Sequence, residues 1–297
     1  MTGVIAIVGP TASGKSAVAL RAAEAFGGEI VSADSRQVYR RMDIGTAKPT
    51  RAEQARVRHH CIDVVDPGTR YDAARYQRDA LAALADIAGR RTRAYVVGGT
   101  GLYLRVLLDG LRLAALPTDT RLRSDLEARG AAEGGTGLHR DLARIDPAAA
   151  SRVDPRNVRR VIRYLEIATL AGSVPLARTV GVVAERVGLD PPRDRLDAQI
   201  LARVRRMVDD GVLEETRALV AGGLDPRLPS LSAHGYVHWA AHLRGERDLE
   251  AAILATAKDV RAYARRQMTW FRRDPGIVWI DPSREDPLGA LRRMGTS

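Results

Sequence analysis

The sequence predicts an α/β fold in which helices flank a parallel β-sheet and a helical insert interrupts the chain. Three observations support this prediction: a glycine-rich loop between a short apolar run and a helical segment, an alternation of strand-like and helix-like segments up to residue 116, and the loss of strand-like segments beyond it. Strands that alternate with helices are typical of parallel sheets covered on both faces. The order of elements therefore indicates one α/β core and one inserted helical unit.

The first strand and helix surround a phosphate-binding motif. Residues 4–8 form an apolar run typical of a buried strand, and residues 17–25 are rich in Ala and favour a helix. Between them lies the run Gly9-Pro10-Thr11-Ala12-Ser13-Gly14-Lys15-Ser16, which fits G-x-x-x-x-G-K-[ST]. Its backbone N–H groups turn toward an anion, Lys15 neutralises phosphate oxygens and the Ser16 hydroxyl is suited to Mg²⁺. The motif predicts a P-loop NTPase-like core that binds a di- or triphosphate.

The next two predicted strands end in polar or glycine-rich loops. Residues 29–32 lead into Asp34, and residues 94–97 lead into Gly98-Gly99-Thr100-Gly101. Parallel sheets bind ligands at the carboxyl ends of their strands. We therefore expect both loops to face the P-loop, with Asp34 acting as a general base or as a metal ligand through water.

The pattern changes near Pro117. From there to about residue 190 the chain shows helical periodicity, including a helix predicted over 156–170, and no convincing strand. We interpret residues 117–190 as a helical insert, and residues 1–116 and 191–297 as the α/β core with its C-terminal helices. The other elements predicted in the core are helices over 76–88, 196–210, 213–220, 235–243 and 249–273 and a last strand over 276–280.

Composition restricts the class of protein. The chain has 297 residues, of which 45% are hydrophobic, and this is enough for a sizeable core. No apolar stretch approaches the length of a membrane span, and the first predicted strand lies too close to Met1 for a signal peptide. A single cysteine, Cys61, excludes an internal disulfide. We therefore expect a cytoplasmic protein without a membrane segment.

The charge balance points to an anionic partner. The formal net charge is +11, and basic residues outnumber acidic ones most clearly in residues 152–163 and 258–273. Clusters of this kind favour contact with a nucleic acid. A charge excess that serves only solubility is the alternative interpretation.

Beyond the P-loop, further segments carry a specific pattern. They are Ser32-Ala33-Asp34-Ser35-Arg36-Gln37-Val38-Tyr39, Met42-Asp43-Ile44-Gly45-Thr46-Ala47-Lys48-Pro49, Gly98-Gly99-Thr100-Gly101-Leu102-Tyr103-Leu104, Arg163-Tyr164-Leu165-Glu166 and Arg265-Arg266-Gln267-Met268-Thr269-Trp270-Phe271-Arg272. In this order, and over nearly the whole chain, they resemble the tRNA dimethylallyltransferase family, also called the tRNA isopentenyltransferases. The P-loop alone indicates only a much broader group.

The resemblance implies a reaction. A dimethylallyl group would pass from dimethylallyl diphosphate to the exocyclic amino nitrogen of the adenine at position 37 of tRNA, 3′ of the anticodon, and diphosphate would leave. In that family the P-loop binds the diphosphate of the prenyl donor. This use of the P-loop agrees with the lack of a Walker-B-like apolar run ending in Asp in this sequence.

The resemblance also implies roles for single residues. Asp34, Thr100 and Arg203 would be catalytic, the eight residues from Gly9 to Ser16 would bind diphosphate, and Mg²⁺ would bind at Ser16. Together with the basic clusters, it assigns contact with the tRNA anticodon stem-loop to Ser35, Arg36, Gln37, Gly101, Arg123, Arg159, Arg160 and Arg163. We expect the insert to contact tRNA and the enzyme to act as a monomer.

The sequence departs from the family's usual residues at Gln199, Val237 and Val260. All three lie in the second half of the chain, so we expect them to affect tRNA contacts more than the donor site. Two other functions fit the P-loop. A small-molecule kinase would use ATP but leaves the arginine-rich segments unexplained, and an adenylate isopentenyltransferase would use the same donor with a free nucleotide and needs no RNA-binding insert.

Overall fold

The computed structural model describes residues 3–111, 117–175, 180–225, 228, 230–231 and 235–294. The chain divides into two compact units. Unit 1 comprises Met1–Gly110 and Val180–Ser297, and unit 2 comprises Leu111–Thr179. Each unit has a hydrophobic core of its own.

A six-stranded sheet forms the centre of unit 1, and all its paired strands run parallel. The strands are β1 (Val4–Val8), β2 (Glu29–Ser32), β3 (His59–His60), β4 (Ala94–Gly98), β5 (Ala184–Leu189) and β6 (Ile277–Ile280), in the spatial order β3-β2-β4-β1-β5-β6. Strand β1 lies between β4 and β5, so the loops that follow β1, β2 and β4 leave the sheet side by side at one edge. The parallel α/β fold predicted from the sequence is confirmed.

Helices of unit 1 flank this sheet. They are α1 (Lys15–Phe26), α2 (Arg51–Arg56), α3 (Ala73–Gly89) and α4 (Gly101–Leu108) and, after unit 2, α9 (Arg193–Asp209), α10 (Val212–Ala221), α11 (Tyr236–Leu243), α12 (Leu249–Phe271) and α13 (Pro287–Met294). The helices predicted for the core agree with these bounds to within a turn at either end. In the described part of the chain, no helix is both long and apolar enough to cross a membrane.

The core of unit 1 fixes the start of α1 relative to the sheet. Ile7, Tyr95 and Val187 lie on three adjacent strands and are fully buried, and they belong to one cluster with Ala19 of α1 and Leu291 of α13. Strand β1 is a continuous apolar run because a parallel strand covered on both faces has no polar side. Packing of this kind holds the loop between β1 and α1 in one place.

Unit 2 contains α5 (Thr120–Glu133), α6 (Gly135–Ile145), α7 (Pro147–Ala150) and α8 (Val158–Ala171). Leu138, Leu142 and Val161 are fully buried at the centre of its core. Asp119 caps α5 by accepting hydrogen bonds from the backbone N–H groups of Arg121 and Leu122. These contacts all lie within unit 2, so its helices form one packed body.

One boundary predicted from the sequence is wrong. The predicted insert extends to residue 190, whereas Ala184–Leu189 form β5, whose residues 184–188 pair with the whole length of β1. The strand was missed because its first half carries Glu185 and Arg186, and only its last three residues are buried. Arg186 is neutralised there by Asp109 at 2.9 Å and by Asp274 at 2.5 Å.

Candidate active site

The P-loop runs from the end of β1 to the start of α1. Gly9 and Gly14 have φ angles of 143° and 88°, which favour glycine, and Ala12 also has a positive φ, of 65°. Gly9 has a second constraint, because a Cβ there would lie 2.7 Å from the carbonyl oxygen of Leu189. The loop therefore has the turned backbone that an anion cradle needs, at the positive end of the α1 dipole.

Lys15 and Ser16 begin α1. The Lys15 ammonium donates a hydrogen bond to the carbonyl oxygen of Pro10 at 3.0 Å. Burial lowers the Lys15 pKa from 10.5 to about 8, although the negative charge of Asp34 opposes this shift, and the positive charge of Arg203 adds to it. The side chain of Ser16 is exposed. A cation and a hydroxyl thus lie together at the mouth of the P-loop.

Arg203 reaches the same loop from α9. Its Nη1 atom donates a hydrogen bond to Thr11 Oγ1 at 3.3 Å. Burial lowers the pKa of the guanidinium group, while Asp34 acts in the opposite direction. A small, mainly apolar cavity beside this contact is lined by Thr11, Ile200, Arg203, Val204, Met207 and Val260. The structure therefore brings the predicted Arg203 to the P-loop and places an apolar surface next to it.

The loops after β2 and β4 are tied together. Thr100 Oγ1 accepts a hydrogen bond from the Ser35 N–H at 3.0 Å, and the Thr100 N–H donates to the Ala33 carbonyl at 3.2 Å. Asp34 Oδ1 accepts a hydrogen bond from the Arg36 N–H at 2.8 Å. Asp34, Ser35, Arg36 and Thr100 are all partly exposed. Two of the three predicted catalytic side chains, those of Asp34 and Thr100, therefore belong to one connected pair of loops.

Gly101, which the sequence analysis assigns to tRNA contact, lies under an aromatic ring. A Cβ on Gly101 would come 2.4 Å from Cε3 of Trp270, a residue of α12. The Arg105 guanidinium lies over the same ring, 5.4 Å from its centroid. Glycine is needed at 101 because the indole ring occupies the space that a side chain would take.

Two residues of α12 belong to the site although the sequence analysis did not assign them to it. Gln267 is buried and forms hydrogen bonds with Thr11 in the P-loop and with Gly99 in the loop after β4. Tyr263 adjoins Thr100 and Gln267, whose side chains act to lower its pKa. Residues 263 and 267 are one helical turn apart, so their common face is visible in the sequence. The arginines around them in the sequence indicate contact with RNA and carry no sign of this buried face.

The Gln37 side chain is buried and forms hydrogen bonds within the protein. Its Oε1 accepts a hydrogen bond from the Ser32 hydroxyl at 2.9 Å, and its Nε2 donates to the Ala47 carbonyl at 3.1 Å. Both ends of the amide are therefore used within the chain. This arrangement assigns Gln37 to support of the Asp34 loop, whereas the sequence analysis assigned it to tRNA.

Glu215 of α10 binds the backbone of residues 43–45, in the loop between β2 and α2. Its carboxylate accepts hydrogen bonds from the backbone N–H groups of Asp43 and Ile44, both at 2.7 Å, and of Gly45 at 3.0 Å. The Tyr236 hydroxyl donates to the same carboxylate at 2.7 Å. One carboxylate thus satisfies three backbone donors and fixes the loop between β2 and α2 to the C-terminal helices.

The four predicted tRNA-binding arginines of unit 2 fall into two pairs. Arg123 and Arg163 form ion pairs with the fully buried Glu166 at 2.6 and 2.7 Å. Burial acts to raise the pKa of Glu166, but the hydrogen bonds from both arginines outweigh it and the net shift is downward. Arg159 and Arg160 are exposed on α8. Of these four residues, Arg159 and Arg160 therefore present their charges mainly to solvent. Arg123 and Arg163 neutralise the buried Glu166.

The residues at the P-loop fit a Mg²⁺ ion that is bound mainly through the phosphate oxygens of the ligand. Among the described residues, no group of three or more His, Cys, Asp or Glu side chains could hold a metal ion. Mg²⁺ in phosphate sites is commonly bound through one or two protein oxygens, several waters and the phosphate itself. The exposed Ser16 hydroxyl in the first turn of α1 provides a protein oxygen of this kind.

Comparisons with known proteins show to which family the chain is similar. The model of the family described as IPP transferase matches residues 37–274, and that of the family described as isopentenyl transferase matches residues 2–67. A tRNA dimethylallyltransferase of Anaeromyxobacter dehalogenans is 49% identical, over 98% of this chain and 98% of its own length. That of Myxococcus xanthus is 48% identical, over 95% and 94%.

Solved structures show the same fold. The tRNA isopentenylpyrophosphate transferase of Bacillus halodurans has a TM-score of 0.73 and 38% identity, covering 100% of this chain and 95% of its own. A eukaryotic dimethylallyltransferase described as acting on tRNA has a TM-score of 0.81 and 26% identity, covering 99% and 78%. Full-length similarity at this level, together with a P-loop beside the Asp34 and Thr100 loops, establishes that the chain belongs to the IPP transferase family, alongside the tRNA dimethylallyltransferases.

Proposed function

We propose that this chain transfers a dimethylallyl group from dimethylallyl diphosphate to the exocyclic amino nitrogen of the adenine at position 37 of tRNA, 3′ of the anticodon. The observation that carries the proposal is the convergence of three loops at one sheet edge. There the P-loop, with Lys15 and Arg203, adjoins the loops that carry Asp34 and Thr100. An anion site beside a carboxylate suits a reaction in which diphosphate leaves and an amine loses a proton.

The donor half of the site would stabilise the leaving group. As the bond between the allylic carbon and the diphosphate oxygen breaks, negative charge grows on the diphosphate. Lys15, Arg203 and the P-loop N–H groups other than those of Thr11 and Ser13, which donate to Gln267 and Pro10, are the donors available to it. Preorganised charges and dipoles of this kind lower such barriers strongly. Mg²⁺, held by Ser16 and the diphosphate, would neutralise further charge on the leaving group.

The apolar cavity beside Arg203 would receive the dimethylallyl chain. Ile200, Val204, Met207 and Val260 line it, and Thr11 connects it to the P-loop. A branched C5 chain has no polar atom, so it gains free energy by leaving water for this surface. An apolar wall also keeps water away from the allylic carbon, which would otherwise be captured as the alcohol.

The acceptor half would use Asp34. The new carbon–nitrogen bond forms at the adenine amine, and the amine proton passes to a base within hydrogen-bond reach. Asp34 is partly exposed and close enough to Lys15 for its charge to raise the Lys15 pKa, and one of its oxygens is already oriented by the Arg36 N–H. Thr100 fixes the neighbouring Ser35, so the carboxylate has a defined position relative to the P-loop.

The substrate would be the anticodon stem-loop of a tRNA. A base inside a stacked loop must leave the stack to reach an enclosed site, and proteins read such loops through unstacked bases and phosphate contacts. Ser35 and Arg36 adjoin the proposed base position, and Arg159 and Arg160 offer exposed charges in unit 2. We further propose that the enzyme acts as a monomer in the cytoplasm, where its tRNA substrate is found.

A transfer assay tests the proposal. Labelled dimethylallyl diphosphate and Mg²⁺ are offered with unmodified tRNA and, separately, with AMP. The proposal expects label in tRNA alone, at the adenine 3′ of the anticodon. Label in AMP alone would identify an adenylate isopentenyltransferase. Label in neither, from folded protein that phosphorylates a small molecule with ATP, would identify a kinase.

A further inference from the structure

Gln267 lies between the two halves of the site. It belongs to α12 and is 5% exposed. Its Oε1 atom accepts a hydrogen bond from the Thr11 N–H at 2.8 Å, and its Nε2 atom donates to the Gly99 carbonyl at 2.9 Å. One amide therefore joins the loop after β1 to the loop after β4. Only a side chain with one acceptor and one donor at its tip makes both bonds.

The fit at Gly99 is close. A Cβ at Gly99 would lie 2.0 Å from Gln267 Nε2, so the amide occupies the space above this glycine. Gly99 precedes Thr100, whose hydroxyl accepts the Ser35 N–H at 3.0 Å. A continuous series of contacts thus runs from the P-loop through Gln267 and Thr100 to the residue that follows Asp34.

Tyr263 supports the same arrangement one turn earlier in α12. Its hydroxyl lies near the side chains of Thr100 and Gln267, which act to lower its pKa. Burial, followed by the charge of Asp34, raises the Tyr263 pKa to about 12, so the phenol is neutral at physiological pH. The amide of Gln267 is consequently held by two backbone groups, with the Tyr263 side chain close to it.

We propose that Gln267 is a positioning residue that sets the separation between the diphosphate-binding loop and the loops carrying Thr100 and Asp34. Through it, one side chain links the loop that would hold the leaving group to the loops that carry the base. The role rests on the prenyl transfer proposed above. Small displacements of reacting groups cost large factors in rate, so loss of the amide should reduce turnover more than it reduces binding.

Two variants and a control test the role. Gln267→Met keeps the volume and removes both hydrogen bonds, while Gln267→Glu keeps the acceptor for Thr11 and, when ionised, loses the donor to Gly99. Thr256→Val is the matched control, because Thr256 is fully buried on the same helix and its hydroxyl has no hydrogen-bond partner among the residues that the structure describes. The measurements are kcat, KM for donor and tRNA, the Kd of inorganic diphosphate and the Tm.

For Gln267→Met we expect kcat to fall by about 10- to 100-fold. The Kd of diphosphate should stay within about threefold, because Lys15 and the other loop N–H groups remain. For Gln267→Glu we expect activity relative to the wild type to rise as pH falls from 8 to 5. A protonated carboxyl group regains the donor and has the shape of the amide. This pH-dependent rescue remains measurable even if the Met variant does not fold.

Three results would overturn the inference. They are a Met variant that turns over within about threefold of the wild type, a loss of diphosphate affinity as large as the loss of kcat, and a Thr256→Val variant with the same loss of kcat. Wild-type protein that prenylates no tRNA would instead overturn the proposed function. The two failures are therefore distinguishable in one set of assays.

Discussion

The lowered pKa of Lys15 gives a pH signature to donor binding. Its side chain is half-buried, and burial lowers its pKa from 10.5 to about 8 in the free protein, with the positive charge of Arg203 adding to the shift. With that value, the ammonium is about nine-tenths protonated at pH 7, half protonated at pH 8 and one-tenth protonated at pH 9. Only the charged form neutralises diphosphate. We therefore expect kcat/KM for dimethylallyl diphosphate to fall by about tenfold between pH 7 and pH 9.

The two kinetic constants should respond differently. Bound diphosphate is negatively charged, so it favours the ammonium form of Lys15 and raises the Lys15 pKa again. Accordingly, kcat, which reports the complex, should change much less over this range than kcat/KM, which reports the free enzyme. Calorimetry of diphosphate binding at pH 8, in two buffers of different ionisation enthalpy, should detect uptake of about half a proton.

Lys15→Arg is the control for this prediction. Arginine keeps its charge throughout the range, so its kcat/KM, although lower, should show no titration near pH 8. The ratio of wild type to variant also cancels ionisation of the substrates. The thiol of Cys61 does not interfere, because burial raises its pKa to about 12. A ratio that is constant from pH 7 to pH 9.5 would refute the assignment of a lowered pKa to Lys15.

Three further predictions concern other parts of the chain. Asp34→Asn should lower kcat by about 100-fold with the donor Kd unchanged, as measured by single-turnover transfer and titration; turnover near that of the wild type would remove Asp34 from the role of base. Replacing Arg159 and Arg160 by Gln should reduce the salt slope of tRNA binding by about one to two units, and an unchanged slope would place the RNA elsewhere. Glu215→Ala should destabilise the fold by about 1–3 kcal/mol in urea titration, since it leaves backbone donors without a partner. Tyr236→Phe, which removes one donor only, should cost less, and equal losses would contradict the anchor.

Local signals predicted the strands with apolar sequences and failed for the others. Strand β1 is apolar throughout because it is buried on both faces. Strand β3 has only two residues, His59 and His60, and β5 begins with charged residues. The charge of Arg186 is compensated by Asp109 and Asp274, which are 77 and 88 residues away in the chain. No periodicity within a short window carries that information.

Site residues could be predicted from the sequence where the residue type and its spacing indicate a specific chemistry. A glycine-rich loop with Lys15 and a carboxylate at a strand end both have a recognisable pattern. Gln267 stands in a segment that carries the family resemblance, but its residue type indicates no chemistry, because an amide in an arginine-rich helix looks like one more polar surface residue. Its role depends on α12 crossing the ends of β1 and β4, which is a property of tertiary packing. The same holds for Gln37, which adjoins the predicted acceptor residues in sequence and yet is buried.

The bond between Thr11 and Gln267 joins residues 256 positions apart, and all of unit 2 lies between them in the chain. During synthesis, β1, β2 and β4 leave the ribosome long before β5, which pairs with the edge of β1 opposite β4. Contacts of such separation form late and slowly. A nascent chain must therefore keep apolar strands from aggregating while its catalytic centre is still incomplete. A messenger truncated ahead of α12 would yield a polypeptide with a phosphate-binding loop but without a closed site.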